Sequence, residues 1–200
     1  MIRTPAAPYD TMSPGELGNP PGWWGMLFLV FTEAALFASL LLSYFYERAN
    51  AVEWPPAGIE KPELILPLIM TALLIGSSIT MLIAETAIKR DSQTGLIVGL
   101  VLSVLLAGGF LAMQGYEYTH TDFALGDSVY SSAFFTITGL HGIHVAIAVL
   151  MGLVLIARAS LGHFTARNHN ALRNVSLYWH FVDLVWLFIL ASLYISPHVL

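Results

Sequence analysis

Three apolar stretches of this chain carry ionisable side chains where a lipid bilayer would surround them. Glu33 lies within WWGMLFLVFTEAALFASLLLSYFY, His141 and His144 within TITGLHGIHVAIAVL, and His180 and Asp183 within SLYWHFVDLVWLFIL. A charged group at the centre of a membrane helix costs at least roughly 2.5–3.5 kcal/mol. These groups must therefore find partners, water or a proton. Both double sites are spaced i, i+3, so each pair points from one side of its helix. At roughly 1.5 Å rise per residue, Glu33 and the two central histidines reach about the bilayer midplane, with His180 and Asp183 at overlapping depth. One interhelical polar cluster, shared by three helices, is the economical expectation.

Such groups support three kinds of chemistry. A histidine can donate to a carboxylate and lock two helices together, which is the plain reading of His180 and Asp183. A buried carboxyl such as Glu33, with no basic residue beside it on its own helix, has its charged form penalised by desolvation. It either anchors structure or relays protons. Facing histidines could also hold a b-type haem, with His141 or His144 opposite His180, although no second level of histidines exists for a two-haem bundle.

The elements that must position these residues are membrane helices. Of 200 residues, 56% are hydrophobic and 10% charged, and the mean hydropathy is +0.72, the composition of an integral membrane protein. A hydrocarbon core of roughly 30 Å needs about 20 apolar residues per helix. Five runs qualify, over about 23–46, 64–87, 94–114, 133–157 and 172–194. The fold predicted is an all-α integral membrane protein, a five-transmembrane-helix bundle over 23–200. Residues 1–22, rich in proline and glycine, read as a cytoplasmic tail without a cleavable signal pattern. Pro67, one turn inside the second run, predicts a kink. The pair Gly95-xxx-Gly99 predicts either an ordinary helix contact or a dimer face. Gln114, Tyr116 and Glu117 bring polar groups to the end of the third run.

The chain has no cysteine, so iron–sulfur clusters, covalently attached haem, thiolate zinc and thiolate-bridged copper are excluded. Nothing in the composition points to nucleic acid. Basic residues set the orientation. Arg3, Lys89, Arg90, Arg158, Arg167 and Arg173 fall on the side of the N-terminus, and only Arg48 and Lys61 on the other. This imbalance places the N-terminus in the cytoplasm. Outside, Glu47, Glu53, Glu60, Glu63, Glu117, Asp122 and Asp127 make an acidic face, which either avoids the positive side or docks a basic partner. Trp23, Trp24, Arg90, Arg158 and Arg167, at the cytoplasmic boundary, are candidates for holding anionic phospholipid.

Four motifs in this order, FLVFTEAALFASLLLSYF, MQGYEYTH, TGLHGIHVAIAVL and YWHFVDLVWLFIL, resemble subunit III of the haem–copper respiratory oxidases. The likeness covers nearly all the membrane part, and five helices match the shorter bacterial form of that family. It implies an accessory subunit with no catalytic residue, redox cofactor or metal of its own. It would pack beside oxidase subunits I and II, which hold the haem and copper, in a bacterial cytoplasmic membrane. It would bind phospholipid and support proton uptake by a complex that reduces oxygen to water and pumps protons. By motif, Glu33 is the family's buried carboxyl, and His141, His144, His180 and Asp183 are its interhelical polar groups. The donor to the complex, cytochrome c or quinol, is left open, since related subunits serve quinol oxidases and accompany nitric oxide reductases. Two other classes remain: a stand-alone b-type haem membrane protein and a stand-alone proton or solute channel lined by Glu33.

Overall fold

Hydrocarbon offers a backbone no hydrogen bonds, so a segment that crosses it must satisfy its own. Each of the five apolar runs does so as a helix in the computed structural model, which describes residues 21–56, 59 and 62–199. Helix α1 spans Pro21–Asn50, α2 Ile65–Lys89, α3 Gln93–His120, α4 Val129–Ser160 and α5 Asn170–Ile189. The last continues through a π-helical stretch, Leu190–Ile195, into a final turn, Ser196–Val199. Among the described residues five helices are long and apolar enough to cross a membrane, and there is no strand. The chain is a multi-pass, all-α membrane protein. Of the predicted tail, only Pro21 and Gly22 are described, and they form the first turn of α1; the rest lies outside the described residues, as do Arg3, Glu60 and Lys61.

The helices overrun the predicted runs at most ends, because an apolar count measures only hydrocarbon while caps set the true termini. Ser92 accepts from the Gly95 amide at 3.3 Å to start α3. Ser128 and Ser131 form a reciprocal capping box at the start of α4, which satisfies amides that have no intrahelical acceptor. Pro67 falls in the first turn of α2. Its missing N–H is one that the helix could not have used, so the predicted kink has no cause.

Without a hydrophobic force between helices in lipid, close packing and interhelical hydrogen bonds hold such a bundle. Helices α2 and α3 make the most extensive contact, α3 packs on α4, α4 on α5, and α5 returns to α2. Helix α1 lies outside this ring, against α4 and α5, and buries only Phe37 and Tyr44. The α2/α3 contact rests on the glycine pair. A Cβ on Gly99 would sit 2.8 Å from Ala84 Cβ and 2.9 Å from both Ala84 N and Thr80 O. One on Gly95 would sit 2.8 Å from Ala87 Cβ. The small residues thus serve a crossing within the chain. Inside the ring, Trp179 and Trp186 fill the core, and each indole N–H has a hydroxyl acceptor on α2. Trp179 donates to Ser77 Oγ at 3.0 Å and Trp186 to Thr71 Oγ1 at 2.9 Å.

Candidate functional site

Glu33 stands twelve residues past Pro21, roughly 18 Å along α1, and one turn before the buried Phe37. That spacing turns it toward α4, where His144 Nε2 lies 2.9 Å from Glu33 Oε2. The other ring nitrogen of His144, Nδ1, is 2.7 Å from the Leu140 carbonyl. A carbonyl only accepts, so Nδ1 must carry the hydrogen. The Glu33–His144 contact then has two chemically sound states. Either neutral Glu33 donates its proton to Nε2, or an imidazolium donates from Nε2 to the carboxylate. One proton moved across 2.9 Å interconverts them. The Phe37 ring covers the imidazole edge-on, with centroids 5.1 Å apart. Of the two side chains Glu33 is the more exposed, at 24% against 10%, so the acid is the member that reaches the outside of the bundle.

His141 does not join this couple. Three residues rotate a helix by about 300°, and the remaining offset turns His141 toward the core while His144 faces α1. The His141 ring stacks on Trp186 at 5.3 Å and meets Phe110 edge-on at 5.6 Å. Both its nitrogens are buried without a hydrogen-bond partner among the described residues. It is a packing residue of the aromatic core.

His180 and Asp183 do not bond each other either; both turn to Ser78 of α2. Ser78 Oγ donates to Asp183 Oδ2, and His180 Nδ1 lies 2.9 Å from Ser78 Oγ. Since the hydroxyl hydrogen goes to the acid, Nδ1 donates to the serine oxygen. His180 Nε2 is left buried without a partner among the described residues. The predicted single cluster is therefore divided into three. Glu33 and His144 join α1 to α4, His141 sits in the centre, and His180 and Asp183 join α5 to α2. The reason is that each group finds a partner on the helix it faces, and α5 turns these two residues toward α2.

Gln114 and Glu117, expected at the membrane interface, carry interhelical contacts instead. Gln114 is buried, donating from Nε2 to the Thr138 carbonyl at 2.6 Å, while Tyr118 Oη lies 2.7 Å from Thr138 Oγ1. A Cβ on Gly142 would meet Gln114 Oε1 at 2.5 Å, so the glycine between the two α4 histidines is the signal that another helix's side chain approaches closely there. Tyr194 donates to Glu117 Oε2 at 2.9 Å, and Arg48 donates to Ser196. These bonds tie the C-terminal ends of α1 and α3 to the final turns.

At the other end, Trp23 and Trp24 meet edge to face at 4.9 Å, and the Arg173 guanidinium lies 5.8 Å over Trp23. Arg158 lies 5.1 Å over Phe164, and Arg90 and Arg167 are exposed. The Ala166 amide donates to Asp91 Oδ1 at 2.7 Å, which joins the two loops that carry Arg90 and Arg167. Among the described residues no group of three or more histidine, aspartate or glutamate side chains gathers as a metal site.

Residues 22–197 match the family model described as cytochrome c oxidase subunit III. Cytochrome c oxidase subunit 3 of Aedes aegypti is 36% identical over 177 residues, an alignment covering 86% of this chain and 68% of that protein. The Drosophila melanogaster protein of the same name gives the same identity and coverage. That of Gallus gallus is 36% identical over 178 residues, again 86% of this chain and 68% of the relative. Glu33, His141, His144, His180 and Asp183 all lie inside the matched segment.

Proposed function

We propose a role that proceeds from one premise: the chain belongs to the cytochrome c oxidase subunit III family. The role is that of the accessory subunit in a proton-pumping terminal oxidase. It contributes no catalytic residue and no redox cofactor; haem and copper belong to subunits I and II, its partners. The observation that carries this reading is the reach of the family match, which includes all five helices. Within it, the Glu33–His144 couple can hold or pass a proton without any metal, and its acid end reaches the surface of the bundle. We assign it a proton-supporting role beside the catalytic subunit, with His180 and Asp183 as an interhelical lock and His141 as core packing.

The cytoplasmic boundary is the proposed phospholipid surface. Trp23 and Trp24 supply amphipathic rings, and Arg90, Arg158 and Arg167 supply charge worth about 1 kcal/mol each near an anionic leaflet. The compartment we propose is a bacterial cytoplasmic membrane, on the resemblance to the short five-helix form; the relatives named above are animal proteins. Cytochrome c or quinol would feed electrons to the complex.

The test is purification of the tagged chain in mild detergent. A haem–copper catalytic subunit is expected to come with it, together with anionic phospholipid that is lost when Arg158 and Arg167 are replaced by glutamine. The separated polypeptide should show no Soret band; one there would make the chain a haem protein and overturn the accessory reading. Orientation has its own test. A reporter fused after Val199 should be active only on the outer side, and activity in the cytoplasm would reverse the topology.

A further inference from the structure

The Ser78–His180–Asp183 group has a feature that the proposed function does not absorb: it opens onto the outside of the bundle. A groove of about 280 Å³ runs between α2 and α5, with these three residues among its lining and apolar walls that include Ile75, Ile79 and Leu184. Ser78, His180 and Asp183 are only half-buried, while Ile75, Ile79 and Leu184 are exposed. The groove lies at mid-depth. Ser78 is thirteen residues into α2 and Asp183 thirteen into α5, roughly 20 Å from either start.

Ionisable groups at that depth face a bundle interior, a water-filled cavity or a partner. The described residues leave this group incompletely served. Asp183 has one hydrogen bond, from Ser78, and His180 Nε2 has none. Among the described residues no lysine or arginine forms an ion pair with Asp183. Glu85, about two turns further along α2 from Ser78, is held by Lys89 at 3.0 Å and Ser176 at 3.2 Å. His180 Nε2 is buried away from the groove, so the unmet demand is that of Asp183. A lipid tail would leave the acid with Ser78 as its one donor, and a headgroup does not reach mid-depth. What complements the floor is a side chain that donates hydrogen bonds, carried to this depth on a helix.

We propose that the α2/α5 groove is a docking site for a transmembrane helix of a partner subunit, which brings a hydrogen-bond donor to Asp183. This rests on the reading of the chain as an oxidase subunit and goes beyond it by naming the face that binds and the chemistry that recognises the partner.

The absence of cysteine from this chain makes each engineered cysteine its one labelled position, so a test can be read in the whole complex from the crosslinks that include this chain. Single cysteines at Ile79 and Leu184, and at Leu105 and Leu150 on exposed faces of α3 and α4, each carry a photoactivatable maleimide. Irradiation should join positions 79 and 184 to a membrane helix of another oxidase subunit. The linked peptide should lie within about two turns of a lysine, arginine, asparagine, glutamine or hydroxyl side chain. Positions 105 and 150 should give far less of this product. Labelling of phospholipid alone, or of a second copy of this chain, at positions 79 and 184 would overturn the proposal. So would subunit labelling from 105 and 150 only. Asp183→Asn keeps an acceptor and should keep the crosslink, whereas Asp183→Leu should reduce it at least tenfold. Equal crosslinking by both variants would also overturn it. Co-purification of the oxidase is scored before irradiation, so failure of the groove is distinguishable from failure of the subunit assignment.

Discussion

Replacing Gly99 by leucine is expected to remove almost all folded chain from the membrane. The Cβ alone would press on Ala84 N and Thr80 O, each 2.9 Å away, and backbone atoms in two packed helices cannot step aside as a side-chain tip can. Inserting even small groups into a packed interior costs about 1–3 kcal/mol. Gly99→Ala should therefore lower stability by about that amount, and leucine, with three further carbons, by more. Relief requires α2 and α3 to separate. That would break the Thr80–Ser103 contact at 2.7 Å and the Ser103 hydrogen bond to the Ser77 carbonyl at 3.2 Å. Gly108→Ala is the control, since a Cβ there meets nothing within 4 Å and alanine favours the helix by about 1 kcal/mol. Yield of detergent-extracted complex and the melting of its helical circular dichroism measure both. Normal yield and melting for Gly99→Leu would mean that the α2/α3 crossing is not as close as described.

The Glu33–His144 couple should separate stability from proton handling. In His144→Ala the acid keeps its place but loses its partner at membrane depth, a loss of about 1–3 kcal/mol. Replacing both residues by leucine removes the unmet demand along with the bond. The double variant should therefore be more stable than His144→Ala, read as thermal retention of assembled complex. Glu33→Gln tests the other half. With hydrogen on His144 Nδ1, the ring presents Nε2 as an acceptor, and a glutamine amide donates to it with little change of shape. Assembly and initial oxygen reduction should survive. A glutamine cannot exchange a proton with the ring, so the variant complex should pump fewer protons or lose activity sooner under sustained turnover. Immediate loss of oxygen reduction in a fully assembled Glu33→Gln complex would place Glu33 in the chemistry itself. Wild-type pumping and endurance would overturn the proposed proton-supporting role.

The two residue sets differ in how far the sequence exposes them. Glu33, His141, His144, His180 and Asp183 stand out because a charge or imidazole in an apolar run has no cheap explanation. Ser77, Ser78 and Gln114 do not stand out. Serine is common in membrane helices as a small packing residue, and a glutamine near a helix end reads as interfacial. Their roles become visible only when Trp179, His180 and Thr138 arrive from other helices.

By itself the sequence determined five helices, their order and the family motifs, because each depends on local quantities: the length of an apolar run, a missing N–H or Cβ, a fixed string of residues. Tertiary structure alone decided which polar group meets which. The i, i+3 spacing put His141 and His144 on one side of α4, yet their angular offset sent one to the aromatic core and the other to Glu33. It put His180 and Asp183 together too, but the rotation of α5 against α2 gave both to Ser78. Helix rotation is set by packing summed over whole faces, by contacts such as Gly99 against Ala84, and no single motif contains that sum.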